Sequence, residues 1–336
     1  MKILFSSYAF LPGVGGIETV SAILADEFVK AGHEVELITE TPGENSERVG
    51  YGITRRPSRS RVISLLRWSD LFFQNNISLP ALLLALVLRK PCIVVHQTWI
   101  RNARGELRWK DRLKRSLLSR VTNVAISKAV ADDLQHSCVI IANPYRDTTF
   151  RIVPDVDRNR DLVFLGRLVS DKGADILLRA LHHLRPNGSA PTLTIIGTGP
   201  EEQALRALSV ELDLREQVAF VGGKSGDELA TLLNQHRIMV IPSRWAEPFG
   251  VVALEGIACG CAVLGSEEGG LKEAMGPCGI TFKNGDYLSL ASVLERLLAG
   301  RGLEESLRNA GPAHLLRFKP NAVTGAYLEL IKNVVR

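Results

Sequence analysis

The chain contains no apolar run long enough to cross a bilayer. Its most lipid-like stretch, Leu79 to Leu88, is closed by Arg89-Lys90. That is far short of the ~20 residues a spanning helix needs, so it reads as a buried helix. The opening Met1-Lys2-Ile3-Leu4-Phe5-Ser6-Ser7 is too short for a secretory leader and reads as a first strand. Cysteine is sparse and odd in number: Cys92, Cys138, Cys259, Cys261 and Cys278. Without an export signal this argues for reduced thiols in a cytosol. Cys259-Gly-Cys261 lacks a second Cys pair or a His pair, so packed core thiols are expected there, not a metal site. There are no grouped His/Asp ligands. Asp155-Val156-Asp157 lies in a polar segment without strand context. No metal or other cofactor is therefore expected. The dinucleotide fingerprint G-x-G-x-x-G is also missing. Gly13, Gly15 and Gly16 are followed by Glu18 where the last glycine belongs, and Gly197-Thr198-Gly199-Pro200 has no third glycine. A dinucleotide oxidoreductase is disfavoured. No low-complexity tract, sequence repeat or recognised nucleic-acid module is present.

What remains is an ordinary globular composition, 46% hydrophobic and 23% charged over 336 residues, a length that favours two domains. Short apolar runs alternate with helical ones. Ile3 to Ser6, Val35 to Thr39, Asp70 to Gln74, Cys92 to His96, Asn123 to Ile126 and Cys138 to Ile141 read as strands, with helices such as Thr19 to Ala31 between several of them. The polar segment from Arg146 to Arg160 reads as a linker. A second series follows: strands at Leu162 to Leu165, Thr192 to Ile196, Val218 to Val221, Ile238 to Ile241 and Ala262 to Leu264. Helices are expected at Ala174 to Leu184, Glu201 to Leu212, Asp227 to Asn234 and Val251 to Ala258. This pattern predicts an α/β chain of two tandem Rossmann-like, doubly wound domains, 1–150 and 151–319, facing across a cleft.

The densest information lies from Pro242 to Gly270. Pro242-Ser243-Arg244-Trp245-Ala246-Glu247-Pro248-Phe249-Gly250 is a turn with one carboxylate. It runs into an apolar helix that carries Glu255 eight residues later. The free N–H groups at the helix start, near Gly250 to Val252, favour an anion such as phosphate. Two acidic acceptors beside an anion site suit a phosphate-bearing, hydroxyl-rich ligand. Paired carboxylates also serve retaining glycosidases, one of them as a covalent nucleophile. Spacing alone leaves that open, while the Rossmann-like context favours a nucleotide ligand. Arg167 and Lys172 follow the strand Leu162 to Leu165, where two cations cradle a diphosphate. Glycines at Gly15, Gly16 and Gly197 let backbone approach a ligand closely.

These segments together resemble the retaining GT-B glycosyltransferases of family 4. Glu247 to Glu255, with Pro-Phe-Gly inside, is similar to that group's Glu-x7-Glu motif. Pro12-Gly13-Val14-Gly15-Gly16-Ile17-Glu18 resembles its N-terminal glycine loop. Gly166-Arg167-Leu168 with Asp171-Lys172-Gly173 resembles its diphosphate pair. Ile195-Ile196-Gly197-Thr198-Gly199-Pro200-Glu201, Phe220-Val221-Gly222 and Gly269-Gly270 with Glu273 fall in the same order, over about 260 residues in all. The resemblance implies sugar transfer from a nucleotide sugar to an acceptor hydroxyl, with retention and without a metal, the leaving phosphate helping to deprotonate the acceptor. It implies that Glu247 meets hydroxyls of the donor sugar, Glu255 holds the ribose diol, and Arg167 and Lys172 stabilise the leaving diphosphate. It further implies that Phe249, Gly250, Val251, Gly15, Gly16 and Gly197 line the donor site, and that His96 points into the cleft and contacts the sugar. By the same resemblance the first domain is expected to bind the acceptor and the second the donor, with a final helix, about 320–336, packing back on the first. Two departures stand out: Gln97 follows His96 where the group often has Asp, and Asn143-Pro144-Tyr145-Arg146-Asp147 replaces Asn-Gly-x-Asp. A GT-B sugar-nucleotide epimerase and a noncatalytic nucleotide-sugar binder are the alternatives.

Charge is uneven. Arg101, Arg104, Arg108, Lys110, Arg112, Lys114, Arg115 and Arg120 face only Glu106 and Asp111. Arg55, Arg56, Arg59, Arg61 and Arg67 form a second run without an intervening acid, and Trp68, Trp99 and Trp109 lie in or beside the two runs. Basic segments with interfacial aromatics suit an anionic membrane surface; nucleic acid and a solvated face compete with that reading. The favoured acceptor is a glycan or membrane lipid in surface polysaccharide or glycolipid synthesis, with the enzyme cytoplasmic and peripheral at the inner face of the cell membrane. Arg101 to Arg115, with insertion of Trp99 and Trp109, are the expected contacts.

Overall fold

The computed structural model describes every residue except 14, 45, 49, 102–104, 186–187 and 336, and describes backbone only for 46–48 and 301. The chain forms two compact units. One is Met1–Arg146 together with Arg317–Arg336; the other is Asp147–Leu316.

The first unit is built on eight strands: β1 (Lys2–Ser7), β2 (Glu34–Thr39), β3 (Ser46–Arg48), β4 (Tyr51–Arg55), β5 (Leu71–Asn75), β6 (Cys92–His96), β7 (Thr122–Ala125) and β8 (Val139–Ile140). Their order is β3-β4-β2-β1-β5-β6-β7-β8. All pair in parallel except the β3–β4 hairpin. The central strands β5 and β6 are buried at every position, which is why they read as unbroken apolar runs. Helices α1 (Gly16–Lys30), α2 (Arg59–Trp68), α3 (Leu79–Val87), α4 (Trp109–Leu117) and α5 (Lys128–Leu134) connect the strands.

The second unit has six strands, all parallel, in the order β11-β10-β9-β12-β13-β14. They are β9 (Arg160–Leu165), β10 (Leu193–Ile196), β11 (Val218–Phe220), β12 (His236–Ile241), β13 (Ala262–Ser266) and β14 (Gly279–Phe282). Its helices are α6 (Ala174–Leu184), α7 (Glu202–Glu211), α8 (Gly226–Asn234), α9 (Val251–Ala258), α10 (Leu271–Met275), α11 (Tyr287–Leu298), α12 (Arg301–Asn309) and α13 (Gly311–Leu315). Leu162, Phe164, Ile195, Val240 and Leu264 from the strands close on Leu177, Leu181 and Leu294 from α6 and α11. Cys259, Cys261 and Cys278 are buried, and burial pushes the Cys261 thiol up to about 11.

The last helix, α14 (Pro320–Val334), belongs to the first unit and packs on α1. Tyr327 is fully buried against Phe73, with ring centroids 5.4 Å apart, and Phe73 in turn meets Phe5 and Phe28 at 5.0 and 5.3 Å. The edge-on contacts of Phe73 with Tyr327 and Phe28 add about 0.5–1.5 kcal/mol each beyond area burial.

The structure corrects the linker. The segment after Asp147 is bound to the second unit at several points. Phe150 is buried, Val153 N–H donates to Asn234 Oδ1 at 3.0 Å, and Asn234 Nδ2 returns a bond to Arg151 O at 2.9 Å. The Arg158 guanidinium donates to the carbonyls of His236 and Cys259. Polar bonds hold this strap, so its lack of apolar periodicity did not reveal it.

Candidate functional site

Loops at the carboxyl ends of the second unit's strands bring distant motifs together. After β9 the chain passes the exposed Arg167 and makes a 3-10 turn, Ser170–Lys172, before α6. Gly173 ends that turn in the left-handed region, φ 67°, and a Cβ there would lie 2.0 Å from the carbonyl oxygen of Pro242. Gly197, φ 145°, leaves β10 with its Cα pressed on the neighbouring loop: a Cβ would lie 1.8 Å from Gly166 O. The expectation for Gly197 as a ligand-facing glycine is thus accompanied by a packing role between two strand ends.

The turn after β12 docks on this loop. Arg244 donates to both carboxylate oxygens of Asp175 at 2.6 Å, and its backbone N–H donates to Asp171 O at 2.8 Å. Burial acts to raise the Asp175 carboxyl, but the bonded guanidinium outweighs it and holds the group below its ordinary value. This clamp places Lys172 Nζ 2.5 Å from Glu247 Oε1, and the Ser243 hydroxyl donates to the same oxygen at 2.6 Å. Glu247 is only 9% exposed. Gly270 N–H donates to Glu247 O at 2.7 Å and fixes the loop from the other side. Ser243, Arg244 and Asp175 were missed as site residues, although Ser243 and Arg244 stand inside the quoted motif.

Next comes α9, entered through Gly250 at φ 104°. Its first turn carries no acid, so its free N–H groups keep their preference for an anion. Val251 and Glu255 are half-buried, whereas Phe249 is buried. A side chain so enclosed shapes the loop and offers a ligand little surface. The second unit therefore carries two cations, Arg167 and Lys172, in the loop after β9, one carboxylate, Glu247, in the turn after β12, and a helix N-terminus with a second carboxylate, Glu255, in α9. Among the described residues, no three His, Cys, Asp or Glu side chains group as metal ligands.

Other expected residues lie in the first unit. Gly15 and Gly16 open α1, but the Glu18 carboxylate folds over Gly15, where a Cβ would come 2.5 Å from Glu18 Oε2. The open approach expected at Gly15 is corrected: its missing side chain makes room for an internal anion. Gly16 has open space beside it among the described residues. His96 is corrected too. It has no exposed surface, and its Nε2 bonds Asn123 Oδ1 at 3.1 Å. Burial between β5 and β7 lowers its pKa to about 4, against the Asn123 bond. Gln97 is buried as well: its Nε2 donates to Asn75 and Asn143 Oδ1 at 2.8 and 2.9 Å, and Asn143 Nδ2 donates back to its Oε1 at 2.7 Å.

The basic stretch is divided by the fold. Arg101 and Arg115 both pair with Asp133 at 3.1 Å, and Lys114 lies 4.0 Å from Asp111. Trp99 is 8% exposed, so its expected insertion into a headgroup layer is corrected. Arg108, Trp109, Lys110 and Arg112 are exposed, while Arg104 lies outside the described residues. No helix among the described residues is long and apolar enough to cross a membrane.

The architecture defines a GT-B fold. HepE of Anabaena, solved with UDP, superposes with a TM-score of 0.84 at 19% identity, covering 99% of this chain and 100% of that one. A structure of the same protein with UDP-glucose superposes at 0.82. The sequence profile for glycosyl transferases group 1 matches residues 146–314, and that for glycosyltransferase family 4 matches 14–146. The chain belongs to the glycosyl transferases group 1 family. An uncharacterized glycosyltransferase, MJ1607, of Methanocaldococcus jannaschii is 36% identical over 157 residues, 46% of this chain and 39% of the relative. A D-inositol 3-phosphate glycosyltransferase of Acidothermus cellulolyticus is 33% identical over 176 residues, 49% of this chain and 39% of the relative. The matched part of the chain thus spans about two fifths of the length of these curated relatives.

Proposed function

We propose that the protein is a retaining glycosyltransferase that moves a sugar from a nucleoside diphosphate to an acceptor hydroxyl. The second unit holds the donor and the first serves the acceptor, a glycan or lipid-linked molecule in surface polysaccharide or glycolipid synthesis at the inner face of a cell membrane. One observation carries the reading: Lys172, Ser243 and Glu247 meet through one carboxylate oxygen, in the turn that leads into α9. The complexes of HepE with UDP and UDP-glucose support the choice of donor class.

The chemistry follows from that junction. Lys172 is held by Glu247, and a diphosphate competes for the ammonium. Once Lys172 turns to phosphate, Glu247 Oε1 can accept hydrogen bonds from sugar hydroxyls. Phosphate binding and sugar binding are then linked by one exchange of partners. Arg167 and Lys172 stabilise the charge that grows on the leaving diphosphate. The α9 N–H groups share that charge, and Glu255 accepts from the ribose hydroxyls. The departing phosphate takes the acceptor proton, so no protein nucleophile and no metal enter the scheme.

A thermal-shift screen with UDP, GDP, ADP and their sugars tests the reading. A ligand at 100 times its dissociation constant stabilises the protein by about 2.7 kcal/mol. No shift with any nucleoside diphosphate overturns the proposal. Turnover should survive EDTA, and the product should keep the donor's anomeric configuration by NMR. Conversion of the donor without an acceptor would identify an epimerase instead.

A further inference from the structure

Resting on the membrane location proposed above, we infer that the outer face of α2 and α3 docks on an anionic phospholipid surface. The two helices pack on one another. They occupy the crossovers from β4 to β5 and from β5 to β6, which run in the same direction along the sheet. Right-handed crossovers put both on one side of it.

Their outward residues combine charge with apolar surface. Val62, Leu65 and Leu66 of α2 turn into the core. Arg59, Arg61, Ser64 and Arg67 are exposed and give this helix a basic outer face. The apolar part comes from α3, where Leu82 and Ala85 are buried while Leu83 and Val87 are 41% and 78% exposed. The side chains of Arg59, Arg61 and Arg67 make no ion pair among the described residues. From Arg59 to Lys90 the sequence has five Lys/Arg against the single Asp70.

The placement of the cations is costly to the helix itself. Ser58 caps α2 by accepting from Arg61 N–H. The first turn then carries Arg59 and Arg61 and no acid. Cations there oppose the helix dipole, which favours acids at that end. An external anion relieves this conflict. Around α4, Arg101 and Arg115 already have Asp133, while Arg108, Lys110 and Arg112 are exposed and serve as the comparison in the test below.

An anionic bilayer fits better than a second copy of the chain. A two-fold contact sets the same face against itself, and the acid-free outer face of α2 would then place arginine against arginine, which disfavours association. A lipid surface supplies negative headgroups for the arginines and an acyl boundary for Leu83 and Val87.

The test is co-sedimentation of the full chain with vesicles of 70:30 phosphatidylcholine:phosphatidylglycerol and of pure phosphatidylcholine, with size-exclusion chromatography alongside. Wild type should bind only the anionic vesicles, and more weakly as salt rises, because exposed charges are screened over about 8–10 Å. Each cation near such a surface contributes about fivefold in affinity, so the triple variant Arg59→Ser, Arg61→Ser, Arg67→Ser should lose roughly a hundredfold. The pair Leu83→Ser and Val87→Ser should lose affinity at low and high salt alike, since insertion of apolar groups is not screened. All these residues are exposed, so melting temperatures should stay near wild type. The inference is overturned if wild type ignores anionic vesicles or if the α2 triple variant binds like wild type. It is equally overturned if Arg108→Ser, Lys110→Ser, Arg112→Ser abolishes binding while the α2 variant does not. A dimer that Leu83→Ser and Val87→Ser dissolve, without vesicle binding, overturns it as well and marks the face as self-associating.

Discussion

Replacing Lys172 by Met removes the ammonium 2.5 Å from Glu247 Oε1 and leaves the carboxylate with the Ser243 hydroxyl. The Glu247 side chain is 11% exposed and the Lys172 side chain 28%. Breaking a fully buried pair costs about 3–5 kcal/mol, and an exposed pair is worth about 0–1 kcal/mol. Lys172 keeps contact with solvent, so the cost should fall between these limits, at about 1–2 kcal/mol. For a unit of this size, that corresponds to a drop of roughly 2–8 °C in melting temperature. Glu247→Gln keeps an oxygen that can accept from Ser243 and should cost less. The two changes should have opposite effects on a nucleoside diphosphate. Lys172→Met removes a charged donor, so affinity should fall by about 10–100-fold. Glu247→Gln releases Lys172 from its competitor, so diphosphate affinity should hold or rise while turnover falls. Calorimetric titration with the nucleoside diphosphate that gives the largest thermal shift measures both. Equal losses of affinity in the two variants would refute the exchange of partners at Lys172. An unchanged melting temperature in Lys172→Met would refute the energetic reading of the pair.

Three further outcomes are expected. Glu255→Ala should weaken nucleoside diphosphate binding by about 1.5–3 kcal/mol through loss of a charged acceptor, and unchanged affinity in the folded variant removes Glu255 from the ribose site. Gly197→Ala should destabilise the second unit by roughly 2–6 kcal/mol, from a strained backbone and an overpacked strand end; urea unfolding showing a loss below about 1 kcal/mol contradicts the contact of Gly197 with Gly166. Burial lowers the pKa of His236 from 6.5 to about 4, with Nδ1–H donating to Leu232 O and Nε2 accepting from the Thr194 hydroxyl. The unfolded chain then binds this proton more readily than the fold does. Stability present above pH 6.5 should be lost as pH falls from 6.5 towards 4, by up to about 3 kcal/mol. His236→Gln should reduce the pH dependence of melting over that window while His96, also lowered to about 4, keeps its share, and an unaltered slope excludes His236 as a source.

The fold class was legible because central parallel strands are buried on both faces and appear as continuous apolar runs. β1, β2, β5, β6, β9, β10, β12 and β13 announce themselves in this way, and the edge strand β11 through its short Val-Ala-Phe run. α9 is equally legible from Pro248 and Gly250 before an apolar run. The β3–β4 hairpin and β14 escaped because Ser-Glu-Arg, Tyr-Gly-Ile-Thr-Arg and Gly-Ile-Thr-Phe interrupt any apolar run with polar residues and glycine. The strap after Asp147 escaped because hydrogen bonds to Asn234 and from Arg158 hold it. Sequence alone marked Lys172, Glu247 and Glu255 as candidates, and the family resemblance suggested a role for each. Only the tertiary structure decided that Lys172 meets Glu247 across 75 residues. It likewise decided that Glu18 covers Gly15, that His96 is sealed on Asn123, and that Asp133 takes Arg101 and Arg115. It also left Arg59 and Arg67 without such a partner among the described residues. The physical reason is common to all of these: local pattern records how much water a segment sees, whereas the choice of partner depends on which distant backbone packs beside it.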